Sequence, residues 1–166
     1  KYQESIKNFQ QMEKRFKELP HTRIVMTGTS PYDETAQIKD NTVFKKKNET
    51  IKRIIEYQRE SAARNGWEFT DWNAPMVAIN QELQQKDPSF TLCGNDRIHP
   101  DNDGHMVMAY LFLKAQGFAG KDVANMEINA NKKQAVKAEG CTISNIKKIG
   151  KDISFDSVSY THLRAH

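Results

Sequence analysis

The densest run of chemistry-bearing residues is Asn95-Asp96-Arg97-Ile98-His99-Pro100-Asp101-Asn102-Asp103-Gly104-His105. Asp96 and His99 stand three residues apart, just ahead of an apolar stretch of helical length. Pro100 pushes the residue before it towards extended backbone, and its missing N–H costs nothing at a helix start. His99 is therefore expected at a fixed joint. There Asp96 can fold back to accept a hydrogen bond from Nδ1 and leave Nε2 facing an incoming hydroxyl. One ring nitrogen held and the other presented is what a general base needs. Asp101, Asn102 and Asp103 suit the cap and the positive end of the following helix, and Gly104 allows close packing. Two other readings use the same residues. An Asp–His pair at this spacing also arises as plain capping structure. A metal site from Asp96, His99 and His105 has suitable ligand types but no fourth ligand at clear spacing. His105, inside the helix, reads as a packed or hydrogen-bonded core residue.

The elements that must position this pair are legible from periodicity. Tyr2, Ile6, Phe9, Met12, Phe16 and Leu19 recur at three- and four-residue steps and predict a helix over 2–18, stopped by Pro20. Arg23 to Thr27 has strand length. Gly28 to Asn41 is polar and reads as a long loop. A second helix over 48–65 carries Ile51, Ile54, Ile55 and Ala62 and ends at Asn65-Gly66. Trp67 to Asp71 alternates as a strand does, and Ala74 to Gln85 follows as a third helix with Pro75 near its start. The fourth helix, 102–116, is apolar on most sides and is expected to be deeply buried. This order predicts an α/β fold on a parallel sheet. Beyond Gly120 the chain becomes short, turn-separated segments at 123–129, 134–138, 141–146 and 152–155, expected as small antiparallel strands packed onto the main body. Tyr32 and Asp33 follow a strand at its C-terminal end, where α/β sheets bind ligands, which makes them candidate substrate-cleft residues. A capped surface loop is the alternative.

Asp96-Arg97-Ile98-His99-Pro100, followed by Gly104-His105 and an apolar helix, resembles the last D-x-x-H-P block of the SGNH hydrolases, the GDSL esterase/lipase superfamily. The stretch Tyr2 to Phe155, with its Thr29-Ser30-Pro31-Tyr32-Asp33 loop, is similar to bacterial members. The resemblance implies a three-layer, flavodoxin-like parallel sheet. It also implies a serine ester hydrolase in which His99 is the base and Asp96 the orienting carboxylate. No cofactor is implied. The substrate it suggests is a small acyl or acetyl ester, carbohydrate esters included. The sequence departs from that pattern in holding no G-D-S block, so the nucleophile is not identified in it. Gly28-Thr29-Ser30 imitates such a block, but only 66 positions separate Ser30 from Asp96, and no Gly-x-Asn-Asp lies between. The chain is thus expected to be the C-terminal part of such a domain (1–120), N-terminally truncated and inactive alone. A β-rich extension (121–156) and a non-native tail (157–166) follow. A non-catalytic binding domain of the same fold and a metal-dependent hydrolase are the competing functions.

The bulk properties exclude several classes. The 166 residues suit one domain, and a net charge of +4 is scattered except at Lys45-Lys46-Lys47, which argues against a nucleic-acid partner. The two cysteines make no disulfide framework and no zinc motif, and whether Cys93 and Cys141 pair is left open. No apolar stretch approaches the ~18 residues that a membrane span needs. A signal region is not part of the chain. The compartment stays open, although members of that superfamily are often exported.

Overall fold

The computed structural model describes residues 2–39 and 41–160. Two compact units divide after Gly117, three residues before the boundary drawn from composition.

The first unit begins with α1 (Tyr2–Lys17), whose buried stripe is Ile6 and Phe9. Met12 and Leu19, on the same periodic pattern, remain exposed. Phe9 meets Tyr57 edge-on at 5.9 Å, and Phe16 meets Trp67 at 6.0 Å. Such edge-to-face pairs add to the burial of the rings themselves. β1 (Val25–Thr27) pairs in parallel with β2 (Glu68–Thr70), register Met26 to Phe69. α2 (Lys47–Asn65) makes the crossover between them and ends at Gly66. There φ is 67°, and the Gly66 N–H turns back onto the Ala62 and Ala63 carbonyls. That left-handed stop is the one Asn65-Gly66 predicts. Phe9, Met26 and Ala62 form one core cluster. A second cluster, Met76, Leu92 and Cys93, is closed by α3 (Asn73–Leu83) and α4 (Asn102–Ala115).

The three-layer flavodoxin-like sheet is not what forms. Among the described residues there are three separate two-stranded sheets, one parallel and two antiparallel. A flavodoxin-like sheet needs about five parallel strands, and β1 and β2 have three residues each. The apolar runs that can make strands in this unit are only that long. The connections 28–39, 41–46 and 84–101 form no strand and are held by side-chain hydrogen bonds instead. A single β–α–β crossover is common to many sheets, and the extension from it to a superfamily's sheet is where the expectation fails.

α4 also differs from expectation. Only one side of it packs, with Val107, Met108 and Leu111 against the second cluster. His105 is exposed rather than packed.

The second unit contains two hairpins, β3 (Asn125–Asn129) with β4 (Gln134–Glu139) and β5 (Cys141–Ile149) with β6 (Asp152–Ser159). Most of its side chains are exposed, and Cys141 is its buried apolar residue. Ser157, Val158 and Ser159, which the sequence assigns to a non-native tail, pair in β6 with Ile143, Thr142 and Cys141. His162 and His166 lie outside the described residues. No described helix is long and apolar enough to cross a membrane.

Candidate active site

The turn that carries Asp96 and His99 is built before either side chain reaches for the other. Gly94 and Arg97 both adopt positive φ, 53° and 68°. Asp96 Oδ1 then accepts from the backbone N–H groups of Ile98 (3.0 Å) and His99 (2.9 Å). An aspartate hydrogen-bonding its own backbone two and three residues on is a standard turn former. Its second oxygen, Oδ2, takes a short hydrogen bond from His99 Nδ1. The hydrogen bond from the His99 ring, and then the two backbone N–H groups, hold the Asp96 carboxyl well below the usual carboxylate range. The His99 side chain is 83% exposed, and among the described residues its other ring nitrogen has no partner. A fixed carboxylate therefore holds one nitrogen while the other faces solvent, as the sequence spacing suggests.

Below the turn lies a support that the sequence did not announce. Arg97 is 1% exposed. Its Nε donates to Asn41 Oδ1 (2.9 Å), and Nη1 donates to the carbonyls of Ala36 (2.7 Å) and Asp33 (3.2 Å). The Asp33 N–H returns a bond to the Arg97 carbonyl at 2.8 Å. The guanidinium thus fastens the loop that holds Asp33, Ala36 and Asn41 beneath the Asp96–His99 turn. A strained left-handed backbone at a bulky residue persists only where its surroundings over-determine it, and these bonds do so.

Asp33 is the hub of the same support. Oδ1 accepts from the Thr35 N–H and hydroxyl and from the Ala36 N–H; Oδ2 accepts from Asn80 and Gln84. Burial raises its pKa, but hydrogen bonds from Thr91, Thr35 and Ala36 outweigh that and leave the carboxyl below its ordinary value. Tyr32 is also buried; its hydroxyl accepts from the Phe44 N–H. Tyr32 and Asp33 do line a cleft of about 300 Å³, together with Lys46, Asn48, Lys52 and Asn80. Its lining does not include Asp96 or His99, so the structure does not bring the two candidate pairs into one cavity.

Two further residues, Ser30 and Cys93, bear on the chemistry. Ser30 donates its hydroxyl to the Ile98 carbonyl at 3.3 Å, beside the turn but committed to backbone. Cys93 is fully buried and donates to the Pro31 carbonyl; burial, reinforced by the charge of Asp33, pushes its thiol up to about 12. It is no nucleophile at neutral pH. Both cysteines are free. Among the described residues no three His, Cys, Asp or Glu side chains gather to hold a metal ion. Asn80 could have been noticed in the sequence. It stands four residues after Met76 on the buried face of α3, where an unpaired amide would be costly. The left-handed turn at Arg97 leaves no such trace.

No family model and no curated protein matches the chain. A solved structure described as a gut microbial diltiazem-metabolizing enzyme is similar to it, at 98% identity and a TM-score of 0.82. The match covers 95% of this chain and 36% of that one. The chain therefore spans little more than a third of the solved chain's length. This corrects the SGNH/GDSL resemblance. The near-identical structure is described by the drug it metabolizes, and the small separate sheets are not that superfamily's sheet.

Proposed function

We propose that the chain supplies the general base of a hydrolytic enzyme acting on small-molecule esters. His99, oriented by Asp96, takes the proton of an attacking hydroxyl, and a residue of the longer enzyme outside this chain carries that hydroxyl. One observation carries the reading: an imidazole held at Nδ1 by a turn-locked carboxylate, with the opposite nitrogen unpartnered and facing out. The hydroxyl oxygen bonds to the ester carbonyl carbon as its proton passes to His99 Nε2. Collapse of the tetrahedral species breaks the ester C–O bond, and the same proton leaves with the alcohol. Water then attacks the acyl-enzyme by the same route and releases the acid. Asp96 keeps the ring in the right tautomer and stabilises its charged form. No cofactor is consumed. Tyr32 and Asp33 serve this site as the wall and anchor of the loop beneath it. The description of the near-identical enzyme as diltiazem-metabolizing supports a small-molecule substrate.

The test uses the longer enzyme with diltiazem, p-nitrophenyl acetate and an acetylated glycan. Product masses are expected to show cleavage with gain of water, and His99→Ala is expected to lower kcat by about three orders of magnitude. An oxidised product, or near-normal turnover without the imidazole, sinks the proposal. The 166-residue chain alone is expected to leave p-nitrophenyl acetate at its background rate. Turnover by this chain that is lost in Ser30→Ala would move the nucleophile to Ser30. Activity confined to the glycan would change the substrate class.

A further inference from the structure

The fourth helix has an apolar surface that the described structure leaves uncovered. Gly104, Val107, Met108 and Leu111 face inward. On the other side Met106 is 72% exposed, Tyr110 59% and Leu113 42%. These three stand at i, i+4 and i+7, so they form one continuous stripe, with Ala109 exposed beside it. The outward face of a surface helix is ordinarily charged. Between Gly104 and Leu113 the only ionisable residues here are His105 and Tyr110. A helix apolar on every side is the signature of one enclosed on every side, and contiguous exposed apolar patches mark contact surfaces. What encloses it is set by length. The 98%-identical solved chain is covered by this one over only 36% of its residues, so most of that polypeptide has no counterpart in this chain.

We propose that the Met106–Tyr110–Leu113 face of α4 is a docking face for the remaining polypeptide of that longer chain. The docked segment is apolar, because the stripe offers it methyl, thioether and ring surface and no charge to pair. α4 begins three residues after His99, with Asp101 capping its N-terminus by accepting from the Gly104 N–H at 2.9 Å. A segment seated on this helix is therefore carried past the catalytic turn. The docking face itself rests on burial and length alone and stands whether or not His99 is a base.

The experiment compares the longer enzyme with this 166-residue chain. In the longer enzyme, Met106→Lys with Leu113→Lys is expected to lower Tm by at least about 4 °C. In the short chain the same pair lowers Tm by much less, because Met106 is already 72% and Leu113 42% exposed there. A second variant guards against misfolding: Ala109→Cys, with maleimide labelling read at that residue alone by peptide mass mapping. Labelling at least about tenfold slower in the longer enzyme supports docking. Equal rates in the two proteins overturn it. So does a short chain that forms a discrete dimer, lost in the Lys variant, while the longer enzyme keeps its wild-type Tm; the face would then belong to a second copy.

Discussion

Asp96 performs two tasks with its two oxygens, and they can be separated. Oδ1 forms the turn through the N–H groups of Ile98 and His99, while Oδ2 orients the imidazole. Asp96→Asn keeps an oxygen for the turn but removes the charge that favours the protonated ring. Asp96→Ala removes both. We expect Asn to lower kcat of the longer enzyme by about 10³-fold with Tm within ~2 °C of wild type, and Ala to lower both. If Asn lowered Tm as far as Ala does, the orienting and turn-forming roles would not be distinct. Arg97 acts one step further away, through the backbone it fastens. Arg97→Ala leaves the Asp33 and Ala36 carbonyls without their donor, whereas Lys can reach one of them. Partial recovery of kcat by Arg97→Lys, with KM for p-nitrophenyl acetate unmoved, is the outcome expected of a positioning residue. Equal loss in both variants would instead point to a specific need for the planar guanidinium fork. The His99–Asp96 pairing was readable from type and spacing because both partners are local. The Arg97 contacts reach back 56 to 64 residues in the chain, and nothing in the sequence forecast that pairing.

At the scale of elements, helices were legible and sheets were not. α1, α2 and α4 fall within a residue or so of the ranges that periodicity and stop signals give. Helix contacts are local, so the sequence carries them. Strand contacts are not: all six strands lie where the sequence places them, but which of them share a sheet is set by partners distant in the chain. α4 shows both sides of this. Its existence was clear, but the sequence did not show that Met106, Tyr110 and Leu113 would stand exposed rather than buried. Its docking onto the 84–101 segment turns on Gly104, where a Cβ would lie 2.1 Å from the Leu92 carbonyl oxygen and 2.9 Å from Pro100 Cβ. Helix propensity favours alanine over glycine by about 1 kcal/mol. Here the clash is with backbone, which cannot step aside without moving the helix start. We therefore expect Gly104→Ala to destabilise the chain by about 2–4 kcal/mol, measured by urea unfolding. A stabilising effect would mean that α4 is not seated on Leu92 as described.

At the scale of the whole first unit, stability is concentrated at a buried polar centre as well as in two small apolar clusters. The Asp33 carboxylate ties its own loop to Asn80 and Gln84, and its backbone ties that loop to Arg97. No apolar count anticipates such a centre, because its worth depends on every member being satisfied at once. It also makes the unit sensitive to acid. The folded-state pKa of Asp33 is depressed, since its hydrogen bonds outweigh the cost of burial. An unfolded aspartate titrates near about 3.9. The stabilisation is therefore complete above that pH and is lost as pH falls through the lower folded-state value. Asp33→Asn keeps the size of the side chain but replaces one acceptor with a donor facing donors. It should cost about 3 kcal/mol at pH 7. That gap should hold from pH 7 to 5 and narrow below about pH 4, as the wild-type carboxyl gains its proton. Urea midpoints of the two proteins at pH 7, 5 and 3 measure it. A gap of constant size down to pH 3 would mean that the Asp33 charge does not hold the unit together, and that Arg97 and the apolar clusters carry it instead.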